Sequence, residues 1–137
     1  MKYTAFFALF VLFTSALWVA GCGNENQKID ALQKETEKIH DEAMKDMAEM
    51  NRIARALKNT MISATMTAEQ SAQYNEVLTA IGNAENEMMD WMKNFKMPDE
   101  STPNEAIQYL EQQKKAIAQN HANIKAAMEN GKKLQGQ

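Results

Sequence analysis

Glycine and proline are scarce, with five and two among 137 residues. That excludes collagen-like and disordered chains, and strand-rich folds that need many tight turns. Cysteine occurs once, at Cys22, so no internal disulfide can form. The sequence also lacks a Gly-rich phosphate loop, a His-Glu-x-x-His helix, a Ser elbow and any Cys nucleophile beyond residue 22. Its paired carboxylates, Asp41-Glu42 and Asp99-Glu100, fall on an expected solvent face and turn, the ordinary place for charge. These absences point away from an enzyme. Basic charge is short as well: 15 basic side chains against 18 acidic give −3, which speaks against a nucleic-acid surface. What is present is 45% apolar and 24% charged residues, ordinary for one globular domain.

The N-terminus reads as an address. Lys2 precedes an apolar run over 3–20 that only Thr4, Thr14 and Ser15 interrupt. A run of about 18 apolar residues also suits a membrane span. The ending decides: Val19-Ala20-Gly21-Cys22 has small residues before a cut and a Cys directly after it, the form of a bacterial lipoprotein signal. Residues 1–21 are therefore expected to be removed. Cys22 becomes the acylated first residue, 22–27 a short polar spacer and 28–137 the domain. At about 0.8 kcal/mol per buried CH₂, several acyl chains make a stable tether. Gly23 supplies no Asp that would hold a lipoprotein at the inner membrane, which points to the outer one.

Apolar spacing in the remainder predicts helices. Ile29, Leu32, Ile39, Ala43, Met47, Met50, Ile53, Ala54, Leu57 and Met61 recur at steps dominated by three and four. Asp41, Lys45, Glu49 and Arg52 alternate in sign one turn apart. Thr67 and Gln70 form a capping box that opens a second stripe from Tyr74 to Phe95. Gly82 lies inside that stripe, and Pro98 is expected to end it. Thr102-Pro103-Asn104-Glu105 combines a second capping box with Pro at the first helical position. A third stripe, Ile107, Leu110, Ile117, His121, Ile124 and Met128, ends at Gly131 or Gly136.

Two short connections make neighbours antiparallel. The expected fold is therefore all-α, an elongated antiparallel three-helix bundle about 45 to 55 Å long. A single long helix dimerising as a coiled coil is its rival. The second helix carries mostly acidic and the third mostly basic charge, which favours pairing the two.

Methionine is abundant, with 11 in the chain. Turns near residues 65 and 100 set residue i of the first helix level with 131 − i of the second. His40 then lies level with Trp91, and Met44 beside Met88. Core filling is the ordinary role of Met at helical spacing. Thioethers also suit Cu(I), so His40, Met44, Met88 and Met92 form an alternative metal set. His121 is expected level with Ala80 and with Met50 or Asn51, about 16 Å along the axis from His40. A shared His–His site is thereby excluded, while a haem between Met50 (or Met47) and His121 stays conceivable. Glu37-x-x-His40 has the di-iron form, but Ala118 stands three before His121, so the required second copy is absent. Trp91, Met88, Met92 and Leu110 are expected to form one layer, the packing centre of the bundle.

Ile39-His40-Asp41-Glu42-Ala43-Met44, Met88-Met89-Asp90-Trp91-Met92 and Ala106-Ile107-Gln108-Tyr109-Leu110 with Gln113-Lys114-Lys115, behind a lipobox, resemble a family of small exported lipoproteins of Bacteroidetes-type bacteria. Its members often carry the label "viral A-type inclusion protein"; no viral function attaches to it. The resemblance implies a helical, lipid-anchored protein without catalytic residues to carry over. Ala43 departs from it, standing where a larger aliphatic is expected. The function expected is a structural or protein-binding module of the cell envelope, needing no cofactor. Its partners are the membrane and another envelope protein or the cell wall, met through the exposed face of the first helix or the acidic tip Asp99-Glu100. A Cu(I)- or haem-binding bundle is the alternative.

Overall fold

The computed structural model describes residues 22–136, so the expected signal segment 1–21 lies outside the described residues. Three helices account for nearly all of them: α1 (Cys22–Ser63), α2 (Ala68–Asn94) and α3 (Pro103–Gln135). Among the described residues no helix is long and apolar enough to cross a membrane.

The stripe on α1 is buried as its spacing demands. Ile29, Leu32, Ala43, Met47, Met50, Ile53, Ala54 and Leu57 all face the core. Thr36 belongs with them although it is polar, because its hydroxyl donates to the Leu32 carbonyl at 2.7 Å. The expected spacer, 22–27, is instead the opening of α1. No Pro interrupts it, Gly23, Asn24 and Asn26 are carried within the helix, and Glu25 in the first turn suits the positive end of the helix dipole.

The Thr67 capping box forms as expected. Thr67 Oγ1 accepts the Gln70 N–H at 3.1 Å, and Gln70 Oε1 accepts the Thr67 N–H at 2.9 Å. The second box does not: Thr102 makes no side-chain cap and its hydroxyl donates to the Asp99 carbonyl at 3.3 Å. Pro103 alone sets the start of α3. Nor does Pro98 end α2. The helix stops at Asn94, because Phe95 is already extended (ψ 131°). Its ring stacks on Trp91 at 4.9 Å and meets Tyr109 at 6.2 Å, while the Lys96 N–H donates to Tyr109 Oη at 3.0 Å. Packing between α2 and α3 thus overrides a helix the local sequence allowed.

That early stop moves the register. Extended chain advances about 3.3 Å per residue against about 1.5 Å in a helix. The connection carries α3 past the end of α2, where Ala106 and Leu110 pack against Ile29 and Leu32. His121 consequently meets Asp46, not Met50 or Asn51. Along α1 and α3 the paired numbers rise together: Lys28 with Glu111, Glu35 with Lys114, Asp46 with His121. Against α2 they oppose, with His40 at Met92 and Asn51 at Glu85.

The most extensive interface joins α1 to α3. The charge argument for α2 and α3 misplaces the ion pairs: Lys28–Glu111, Glu35–Lys114, His121–Asp46 and Lys132–Glu49 all link α1 to α3. Between α2 and α3 stand hydrogen bonds, from Asn120 to the Glu87 carbonyl and from Asn123 to the Glu87 carboxylate. Of the expected pairs along α1, Arg52 does reach Glu49, whereas Asp41 turns to His40.

Buried apolar side chains form two clusters. The larger runs from Ala43 to Leu57 on α1, with Ile81, Ala84 and Met88 from α2 and Ile117, Ile124, Ala127 and Leu134 from α3. The smaller holds Ile29, Leu32, Ala106 and Leu110. Between them α3 presents Lys114, whose ammonium lies 2.8 Å from Glu35 over an apolar stem.

Gly82 sits within α2 with no heavy atom inside 4 Å of where a Cβ would stand. Gly82→Ala should therefore add about 0.5–1 kcal/mol through backbone entropy and helix propensity. Thermal denaturation checks it, with an expected rise of about 2–5 °C.

Candidate functional site

Two histidines carry the polar chemistry of the interior. His121 is 8% exposed, and its Nε2 lies 2.7 Å from Asp46 Oδ2 across the α1–α3 interface. A buried imidazole requires such a partner. Asp46 falls beside the apolar stripe, between Ala43 and Met47, where helical spacing alone marks it as a flank. What could have drawn attention to it is the buried His on the facing helix. Asp46→Ala should leave His121 unsatisfied and cost about 1–3 kcal/mol. Adding His121→Leu should recover most of that loss in denaturant titrations, because both polar partners are then gone.

The expected pairing of Met50 with His121 is not formed. Met50 is fully buried in the larger cluster, and His121 Nε2 is held by Asp46. Among the described residues no group of three or more His, Cys, Asp and Glu is gathered as a metal site.

His40 differs. It lies half-buried between α1 and α2, level with Trp91 as the hairpin count predicted. Their ring centroids are 5.8 Å apart, inclined at 30°. Its Nε2 faces Met92 Sδ at 3.2 Å, and its Nδ1 faces Asp41 Oδ1 at 3.3 Å. An opening of about 340 Å³ lies over this group, bounded also by Thr36, Glu37 and Phe95. Of the four residues in the alternative metal set, His40 and Met92 are in direct contact. Met88 is fully buried in the larger cluster, with Met44 packed against it.

The proposed packing layer is divided by the structure. Met88 lies in the larger cluster with Trp91 and Met92 packed on it, while Leu110 belongs to the smaller one. Phe95 and Tyr109 bridge the two levels. The Trp91 indole N–H is buried without a hydrogen-bond partner.

The acidic tip is organised locally. Asp99 is held below the usual carboxylate range by hydrogen bonds from Ser101, through its side chain and its N–H at 2.9 Å. Glu111 is lowered by its contact with Lys28, whose ammonium is 3.0 Å away. Both groups are exposed. What each adds to stability is present above the free-carboxylate range and fades as pH falls through the lowered value.

No protein-family model, curated protein or solved structure matches this chain.

Proposed function

We propose that the chain is a lipid-anchored protein of the cell envelope, more specifically of the outer membrane. It would be held by acyl groups on Cys22 and act as a structural or protein-binding module. In this reading the three helices are an elongated antiparallel bundle exposed after a signal peptide is cut at residue 21. The lipobox Val19-Ala20-Gly21-Cys22 and the resemblance to small exported lipoproteins support the anchor.

One observation carries the module. α1 runs unbroken for 42 residues from Cys22 to Ser63. At about 1.5 Å per residue it is a strut of about 63 Å, with the lipid position at one end. Ile62, 85% exposed, stands at the other end beside the α1–α2 turn. An apolar side chain displayed that far from the bilayer suits contact with a second envelope component, another protein or the cell wall.

Acyl labelling with fractionation tests the anchor. The chain should incorporate fatty acid and sediment with outer membranes, whereas Cys22→Ser should lose the label and leave that fraction. Label-free protein with unchanged sedimentation would refute the reading. A photoreactive residue at position 62 should give one discrete cross-linked product in intact envelopes, lost in the Cys22→Ser chain.

A further inference from the structure

We infer that His40 and Met92, backed by Trp91, form a binding site for a soft monovalent cation, Cu(I).

The starting point is a ring nitrogen and a thioether sulfur held in contact beside an opening. A neutral imidazole carries one N–H and one lone pair. Asp41 Oδ1 lies 3.3 Å from Nδ1 and only accepts, so the ring's proton belongs there. Nε2 then presents its lone pair to Met92 Sδ at 3.2 Å, and a thioether has no hydrogen to give. With the proton on Nε2 instead, that N–H donates weakly to the sulfur and the exposed Asp41 carboxylate is met by water. In the tautomer with Nδ1–H, two lone-pair donors face each other at 3.2 Å, and an electrophile that parts them is bound by both.

The chemistry of the donors selects the cation. Thioether with imidazole is a soft set that favours Cu(I) over hard ions. At metal–ligand distances of about 2.0 Å to nitrogen and 2.3 Å to sulfur, a trigonal angle sets the two atoms about 3.7 Å apart. Parting them by about 0.5 Å is within the reach of a flexible Met side chain. Three surrounding features favour the ion. Asp41 on the second ring nitrogen fixes the ring and raises the basicity of the ligating one, the usual outer partner of a metal-bound His. The Trp91 ring beside His40 offers a π face to a cation. Carboxylates Glu37 and Asp41 border the opening of about 340 Å³ that gives access. Met44 and Met88 fill the core next to the site and are not required as ligands.

The full chain in detergent carries the test, with Cys22→Ser to remove the competing thiol and Trp18→Phe to leave Trp91 as the only indole. Cu(I) kept reduced, and Ag(I) as its redox-inert counterpart, should each quench Trp91 fluorescence and saturate at one equivalent. The His40 ring nitrogen signals should move with that first equivalent while those of His121 stay. Met92→Leu, close in volume, and His40→Gln should each weaken binding by about a hundredfold, and Asp41→Asn by about tenfold. Absence of saturable quenching, an unmoved His40 ring, or undiminished affinity when His40→Gln and Met92→Leu are combined would overturn the assignment. Because the anchor is already removed, the result is independent of the envelope reading.

Discussion

Ile117→Ala is expected to cost about 2–5 kcal/mol, a large part of the roughly 5–15 kcal/mol that holds a domain of this size folded. Ile117 is fully buried on α3, the helix that shares the most extensive interface with α1. It packs in the larger cluster with Met50, Leu57, Met88 and Ile124, all at 0% exposure. Removing three carbons there leaves a void that rigid neighbouring helices cannot close, so the cavity adds to the lost transfer energy.

Trp91 supplies the comparison. Although far larger, it is only partly buried, on α2, the helix less engaged with α1. Water can fill part of the space its truncation opens, and the substitution also removes a buried N–H that has no partner. Trp91→Ala should therefore cost no more than Ile117→Ala, despite losing more atoms. Urea unfolding of the two variants decides the order. A larger loss at Trp91 would return the packing centre to the aromatic level between α1 and α2.

The same contrast shows which features spacing alone reveals. Amphipathic stripes locate all three helices, because burial of one face is what makes each helix stable. Thr67 with Gln70 marks a helix start, since that capping geometry is purely local. Counting residues about the first turn places His40 at Trp91 correctly, because α1 and α2 both advance at helical rise and the break between them is short. The second connection defeats the count. Phe95 is drawn out of the helix by Tyr109, distant in sequence, whose ring meets Phe95 and whose hydroxyl accepts the Lys96 N–H. Everything measured through that connection shifts, and His121 arrives at Asp46. Thr102 fails as a cap for a related reason: Asp99, three residues earlier, captures its hydroxyl. Of the metal set, His40 and Met92 are in direct contact, a pairing the residue count did not single out; Met88 is buried in the larger cluster and Met44 packs against that cluster.

Gly131 is the position where a single added carbon should matter most. Helix propensity alone favours Gly131→Ala by about 1 kcal/mol, since the residue lies inside α3. Packing opposes it, because a Cβ there would stand 2.5 Å from Ile53 Cγ2 on α1. Whether the clash can relax depends on Ile53, which is 4% exposed and β-branched. Such a side chain has one strongly preferred rotamer in a helix, so its methyl cannot swing aside. The backbones must part instead, loosening neighbours Leu57 and Leu134 in the same cluster. Overpacking of this kind costs about 1–3 kcal/mol and outweighs the propensity gain. Gly131→Leu, with four carbons to place, should lose about 3 kcal/mol or more. Ile53→Leu keeps the volume but moves the branch one carbon outward, which removes Cγ2 from the point of contact. Combined with Gly131→Ala it should restore stability, giving a coupling of about 1 kcal/mol or more in a double-mutant cycle. Gly82→Ala, in open space on α2, is the matched control with the opposite sign. If Gly131→Ala raised the melting temperature as Gly82→Ala does, α1 and α3 would not approach through this glycine, and the close packing of the two parallel helices would have to be sought elsewhere along the interface.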